Sequence, residues 1–221
     1  MSDYRFLKWQ TFDDGRIVRI SLNRPDQRNA QNRGMLVELD EAFGAAEADD
    51  TVRVIILAAN GKHFSAGHDL SEKDGHATLR QHETVAPVCG FGCAGAEAQM
   101  AREEEIYLGF SDRWRNIPKP TIAAVNGTAL GGGTELALAS DLVVAGESAK
   151  FGLPEVKRGL IAAAGGVFRL VDQIPRKVAL EMMFTGEPIT SAEALKWGLI
   201  NDVVPDGTEL EPLSNSPSGS R

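Results

Sequence analysis

Three short stretches of this 221-residue chain set chemically capable residues beside glycines. They are His63-Phe64-Ser65-Ala66-Gly67-His68-Asp69-Leu70, then Asn126-Gly127-Thr128-Ala129-Leu130-Gly131-Gly132-Gly133-Thr134-Glu135-Leu136, then Phe151-Gly152-Leu153-Pro154-Glu155-Val156. Gly131, Gly132 and Gly133 open a helical pattern. Lacking a Cβ, such residues let a ligand approach the backbone, and the free N–H groups of a first helical turn face any negative charge placed there. The same glycines would equally serve close packing of a helix on a sheet. Glu135 falls in that first turn, and Glu155 directly follows Pro154. Each also has an ordinary reading, as a partner of the helix dipole or a helix-start carboxylate. Brought together, two carboxylates in unlike environments can divide acid and base roles between them.

Other chemistries are poorly served. No Lys-Ser/Thr pair follows the glycines and the G-x-G-x-x-G spacing is missing, which removes a phosphate loop and a dinucleotide fingerprint. Ser65 has no G-x-S-x-G context. Cys89 and Cys93 stand without a second cysteine pair, and His63, His68, His76 and His82 form no H-E-x-x-H pattern, so no metal site is expected.

The elements that must position these residues read as alternating strands and helices. Residues 6–12 and 16–22 form a hairpin about Asp13-Asp14-Gly15. Residues 32–48 carry apolar side chains at helical spacing, and 52–58 make a buried strand stopped by Asn60-Gly61. Residues 71–100 read as an insertion-like, mobile segment of the kind that forms lids. A helix is expected over 103–116, ending before Pro118 and Pro120, then a strand over 121–125. Further helices are expected at 134–140, 166–171, 176–185 and 191–197, with strands at 142–145 and 203–204. This alternation argues for an α/β layer fold without a short internal repeat. Residues 1–205 would form one core domain. Residues 206–221, polar and rich in Ser and Pro, would be a disordered tail.

Bulk properties agree with a soluble globular protein. The length suits one α/β domain, 43% of residues are hydrophobic and 24% charged, and the net charge is −8. That charge disfavours nucleic acid as a partner. Two cysteines, no signal peptide and no membrane-length apolar run point to a cytoplasmic protein without a membrane partner.

Taken together, FSAGHDL, IPKPTIAAVNGTALGGGTELALASDLVVA and KFGLPEVKRGL resemble the crotonase superfamily of enoyl-CoA hydratases and isomerases. ISLNRPDQRNAQN and MMFTGEPITSAEALKWGLINDVV resemble it too, so the likeness runs from about Arg16 to Val204. The resemblance implies a spiral of repeated ββα units. It also implies that the helices which follow in family members are missing here. It implies an oxyanion hole made by the backbone N–H groups of His68 and Gly132, and catalysis by Glu135 and Glu155. An acyl-CoA thioester would be the substrate, held around Arg28, Ala30, Ala66, His68, Asp69, Leu70 and Gly132, with CoA part of the substrate and no separate cofactor. A homotrimer or dimer of trimers is the implied assembly. The presence of both glutamates favours reversible hydration of a 2-enoyl-CoA. Isomerisation, carnitinyl-CoA-type dehydration and, in another class, a truncated acyl-CoA-binding protein with little catalysis are the alternatives.

Overall fold

The structure, a computed structural model, describes residues 3–71, 91, 93 and 95–211. The chain opens with the expected hairpin, β1 (Leu7–Phe12) antiparallel to β2 (Ile17–Leu22). Asp13 and Asp14, at φ 51° and 52°, and Gly15, at φ 87°, take the left-handed conformations that close its turn. From β2 the sheet grows by parallel pairing with β3 (Val54–Ala59), β4 (Thr121–Val125), β6 (Leu142–Gly146) and β9 (Asp202–Val204). The six-stranded order is β1-β2-β3-β4-β6-β9. Parallel strands covered on their faces read as continuous apolar runs, which is how VIILAA and LVVAG appear.

A second, smaller sheet stacks beside it. It contains β5 (Thr128–Leu130), β7 (Lys150–Gly152) and β8 (Ile189–Thr190). Single bridges extend it sideways, from Ala129 to Ser65 and from His68 to Gln31. β2, β3, β4 and β6 are each followed by a short strand or single bridge in the second layer and then by helix, the succession of ββα units that the resemblance implies. The short strands escape sequence reading because two or three residues carry no periodicity.

Helix α1 (Arg33–Ala48) is capped by Asn32, whose Oδ1 accepts the Met35 N–H at 2.9 Å. It buries Met35, Leu36, Leu39, Ala42, Phe43 and Ala46 against the sheet. The next helical stretch begins seven residues earlier than the sequence suggests. It runs as α2 (Ala96–Arg102), a π-helical segment (Glu103–Gly109) and α3 (Phe110–Arg115). Good helix formers from Ala96 onward extend it, where the glycines upstream had suggested a loop. The rest of the expected lid, 72–90 together with 92 and 94, lies outside the described residues.

Asp40 ties α1 to this stretch. Its carboxylate accepts from Arg113 Nε at 3.1 Å and Nη2 at 2.9 Å, and from Trp114 Nε1 at 3.2 Å. Asp40→Ala leaves a half-buried guanidinium and an indole N–H without this partner, a loss of about 1–3 kcal/mol. The melting temperature is expected to fall by about 2–10 °C, read by calorimetry.

Four helices complete the layer: α4 (Gly132–Ala139), α5 (Gly166–Gln173), α6 (Arg176–Thr185) and α7 (Ser191–Trp197). Asp206–Glu211 were expected to begin an unstructured tail. Instead Thr208 N donates to Pro205 O at 3.1 Å, Glu209 is buried, and Leu210 packs on Ile56, Ala58 and Ala124. The cause is an apolar patch on the outer face of β3 and β4 that this short turn covers. Residues 212–221 lie outside the described residues. No helix among the described residues is long and apolar enough to cross a membrane.

Candidate active site

The smaller sheet brings the three motif stretches together. Ser65 N donates to Thr128 O at 3.1 Å and Leu130 N to Ser65 O at 3.0 Å, which docks the first motif on β5. On its other side Gln31 N donates to Gly67 O at 2.8 Å and Asp69 N to Gln31 O at 3.0 Å. In a parallel bridge the residues flanking the bridged one make the bonds, so the N–H of His68 points away from Gln31. The approach there is close. A Cβ on Gly67 would lie 2.7 Å from Leu130 O and 3.2 Å from Gly132 N.

The glycine triplet serves both purposes that its sequence allowed. A Cβ on Gly133 would lie 2.5 Å from Ser65 O, so this glycine permits packing. One on Gly131 would lie 2.7 Å from Glu155 Oε1, and one on Gly132 would lie 2.5 Å from Gln31 Oε1, so these two keep the site open. Thr134, fully buried, pins the first turn of α4 to the sheet. Its hydroxyl accepts the Gly152 N–H at 3.0 Å and lies 2.8 Å from Ala129 O.

That anchoring places Glu135. Its carboxylate is buried, and Oε1 accepts the Gly166 N–H at 2.8 Å. Oε2 is buried, has no hydrogen-bond partner among the described residues, and lies 3.7 Å from His68 Nε2. Glu155 comes from the 3-10 turn Pro154–Arg158 on the opposite side of Gly131, and its Oε2 is also buried without a partner among the described residues. Burial pushes the Glu155 carboxyl above the usual carboxylate range. The charge of Glu135 adds to the rise, while its own backbone N–H and His68 oppose it. Glu103, on the π-helical segment, is likewise raised by burial, against the pull of Gln99, His68 and Arg33.

A carboxyl raised in the folded protein favours folding only while protonated. That contribution is complete below the pKa of an unfolded-chain carboxyl and is lost as pH climbs past the raised value. Glu155→Gln keeps the neutral shape at every pH. Its melting temperature should match the wild type near pH ~4 and exceed it increasingly towards pH ~7. A difference that does not change with pH over that interval would contradict the burial cost assigned to this carboxylate.

A cleft of about 750 Å³ opens over His68, Gly131 and Glu155, while Gly132 and Glu135 border a smaller void beside it. Ala66, Gly67, His68, Asp69, Leu70, Gly131 and Glu155 line the cleft, while Arg28 and Ala30 do not. Arg28 is exposed at φ 52°, and Ala30 O instead accepts from Arg24, whose guanidinium also meets Asp69 at 3.1 Å. For the Asp69 carboxyl, burial acts upward, but hydrogen bonds from Ser71 and Arg24 outweigh it and hold the pKa down. The basic residues on the cleft wall are Arg33, Lys157 and Arg158. Their types and spacing give no sequence signal, and neither do those of Gln31, Glu103 and Tyr107, which also line it. Behind His68 and Glu135 lies a void of about 10 Å³, bordered by Gln31, Gly132, Leu36, Ile106 and Trp114. Among the described residues no three His, Cys, Asp or Glu side chains cluster as metal ligands would.

Comparison with known proteins agrees with this geometry. Residues 13–88 and 91–213 match the family described as Enoyl-CoA hydratase/isomerase. The chain is 41% identical to EchA13 of Mycobacterium tuberculosis, over 92% of this chain and 64% of that protein. It is 38% identical to the 2,3-dehydroadipyl-CoA hydratase of Escherichia coli, over 89% of this chain and 69% of that protein. Among solved structures, a carnitinyl-CoA hydratase from Mycobacterium avium superposes with a TM-score of 0.73 at 46% identity, covering 95% of this chain and 72% of that one. The chain thus spans about two thirds of the length of the curated relatives it matches, 64% and 69% for these two.

Proposed function

This chain belongs to the enoyl-CoA hydratase/isomerase family, and on that premise we propose that it adds water reversibly across the 2,3 double bond of an enoyl-CoA thioester. The observation that carries this reading is the oxygen without a partner among the described residues on each of two carboxylates, Glu135 and Glu155, that flank Gly131-Gly132 where Gly67-His68 meets them. The thioester oxygen sits between the N–H groups of His68 and Gly132, which stabilise the charge it gains as C3 is attacked. One such donor is worth roughly 3–4 kcal/mol of barrier. Glu135 takes a proton from water as its oxygen bonds to C3. The π electrons move to C2, and Glu155, whose pKa burial raises, delivers a proton there. Both carboxylates act from one side of the bound acyl group, so the addition is syn. The glutamates then exchange the proton with solvent to reset. CoA enters as part of the substrate, no separate cofactor is needed, and a cytoplasmic homotrimer is the assembly this reading carries.

The test follows the absorbance of the conjugated thioester as crotonyl-CoA is consumed. Loss of absorbance by the wild type, abolished in Glu135→Ala, supports the reading. Binding of crotonyl-CoA without turnover by the wild type would assign the chain to acyl-CoA binding instead. A second reading, dehydration of a carnitinyl-type thioester, is favoured by the 46% identity to the Mycobacterium avium carnitinyl-CoA hydratase. Product analysis with alkyl and carnitinyl thioesters separates the two.

A further inference from the structure

Two polar side chains with no role in the scheme above meet at its centre. Gln31 is 2% exposed, and its Nε2 donates to Ser65 Oγ at 3.1 Å. Ser65 Oγ has its own proton engaged with Asn29 O at 2.8 Å, so it can only accept from Gln31. This fixes the orientation of the amide and leaves Oε1 as the free end. Oε1 is a buried acceptor with no partner among the described residues. It points to the space above Gly132, and a Cβ there would lie 2.5 Å from Gln31 Oε1 and 3.0 Å from His68 Nε2. The imidazole of His68 stacks edge-on against Tyr107 at 4.3 Å and faces Glu135, with Nε2 3.7 Å from Oε2. That separation is too long for a direct hydrogen bond, so Glu135 Oε2 is left to accept from another donor.

The void of about 10 Å³ touches Gln31, His68, Gly132 and Glu135 together. It has room for about one water; its exposed wall is mostly apolar, so the polar partners that a water needs are the buried oxygens beside it. Gln31 Oε1 and Glu135 Oε2 are both acceptors, so they suit the two O–H groups of a single water. Left empty of a donor, each buried acceptor would cost about as much as a lost hydrogen bond.

We propose that Gln31 and His68 complete the site for the water that adds to the thioester: Gln31 accepts its second O–H, and His68 orients the carboxylate of Glu135. The inference rests on the hydratase reading. In the step, Glu135 takes one proton from the water and the new C3–O bond forms. The other O–H stays with the product as its C3 hydroxyl, still donating to Gln31. Glu155 supplies the proton to C2, so the addition balances without a further reactant. Gln31 touches the reacting water, whereas His68 is a positioning residue.

The experiment compares Gln31→Leu and His68→Phe with the wild type in two assays. One is hydration of crotonyl-CoA. The other is exchange of the C2 protons of butyryl-CoA with deuterated solvent, which needs the oxyanion hole and Glu155 but no attacking water. The proposal expects hydration kcat to fall about ten- to hundredfold in each variant. In Gln31→Leu exchange should stay within about threefold, as should KM. Unchanged hydration in Gln31→Leu overturns the proposal, and so does a parallel loss of exchange, which would mark a structural role. A wild type that neither hydrates nor exchanges would refute the hydratase reading itself.

Discussion

Glu155→Gln should lower kcat for hydration of crotonyl-CoA by about 10²–10⁴-fold, while the affinity for a saturated acyl-CoA stays within a few-fold. Pro154 fixes the entry to a short 3-10 turn, and Gly159, at φ 67°, ends it. The Glu155 side chain is thereby held against Gly131, with Oε1 close to the glycine and Oε2 buried without a partner among the described residues. Burial keeps a proton on this group above the usual carboxylate range, which suits a donor to C2. An amide of the same shape cannot give up a proton, yet it leaves the cleft intact. A kinetic loss confined to kcat therefore identifies the donor. Near-normal turnover in the variant would remove Glu155 from the mechanism.

Gly67→Ala is expected to cost about 10²–10³-fold in kcat. Gly67 adopts φ 91°, where an L side chain is strained, and its Cβ would lie 2.7 Å from Leu130 O. The obstacle is backbone, and it cannot easily yield. Leu130 N is bonded to Ser65 O, Gly131 N donates to Gly152 O at 2.9 Å, and Thr134 holds the start of α4. The segment carrying His68 must move instead, drawing its N–H away from that of Gly132. One oxyanion donor is then misplaced. Gly44→Ala provides the control. It lies in α1 with nothing within 4 Å of its Cβ position, so alanine should stabilise the helix by about 0.5–1 kcal/mol and leave turnover unchanged. Gly67→Ala with wild-type kcat would show that the apposition does not matter to the reaction.

The parts of this protein legible in its sequence are those with long-period signals. The hairpin, α1 and the parallel strands β3, β4 and β6 announce themselves through apolar runs and turn residues. The three motifs lie where the sequence places them, and the smaller sheet brings His68, Gly132, Glu135 and Glu155 together. That sheet itself was illegible, because β5, β7 and β8 hold two or three residues each. The early start of α2 was hidden by the glycines before Ala96. Arg28 illustrates a different gap. The resemblance places it beside the substrate, yet the basic residues on the cleft wall are Arg33, Lys157 and Arg158, whose positions depend on how two distant segments pack. Gln31 carries no signal at all, since only the folded chain, which sets its Oε1 2.5 Å from a Cβ position on Gly132, shows that its amide faces the site.

The central claim is that two backbone N–H groups, from His68 and Gly132, meet on one thioester oxygen. The difference infrared spectrum of a bound acyl-CoA labelled with carbon-13 at C1 measures this directly. A carbonyl stretch shifted to lower frequency on binding to the wild type, and returned towards its solution value in Gly67→Ala, is the predicted result. A carbonyl stretch at its solution frequency in the fully bound wild-type complex would contradict it.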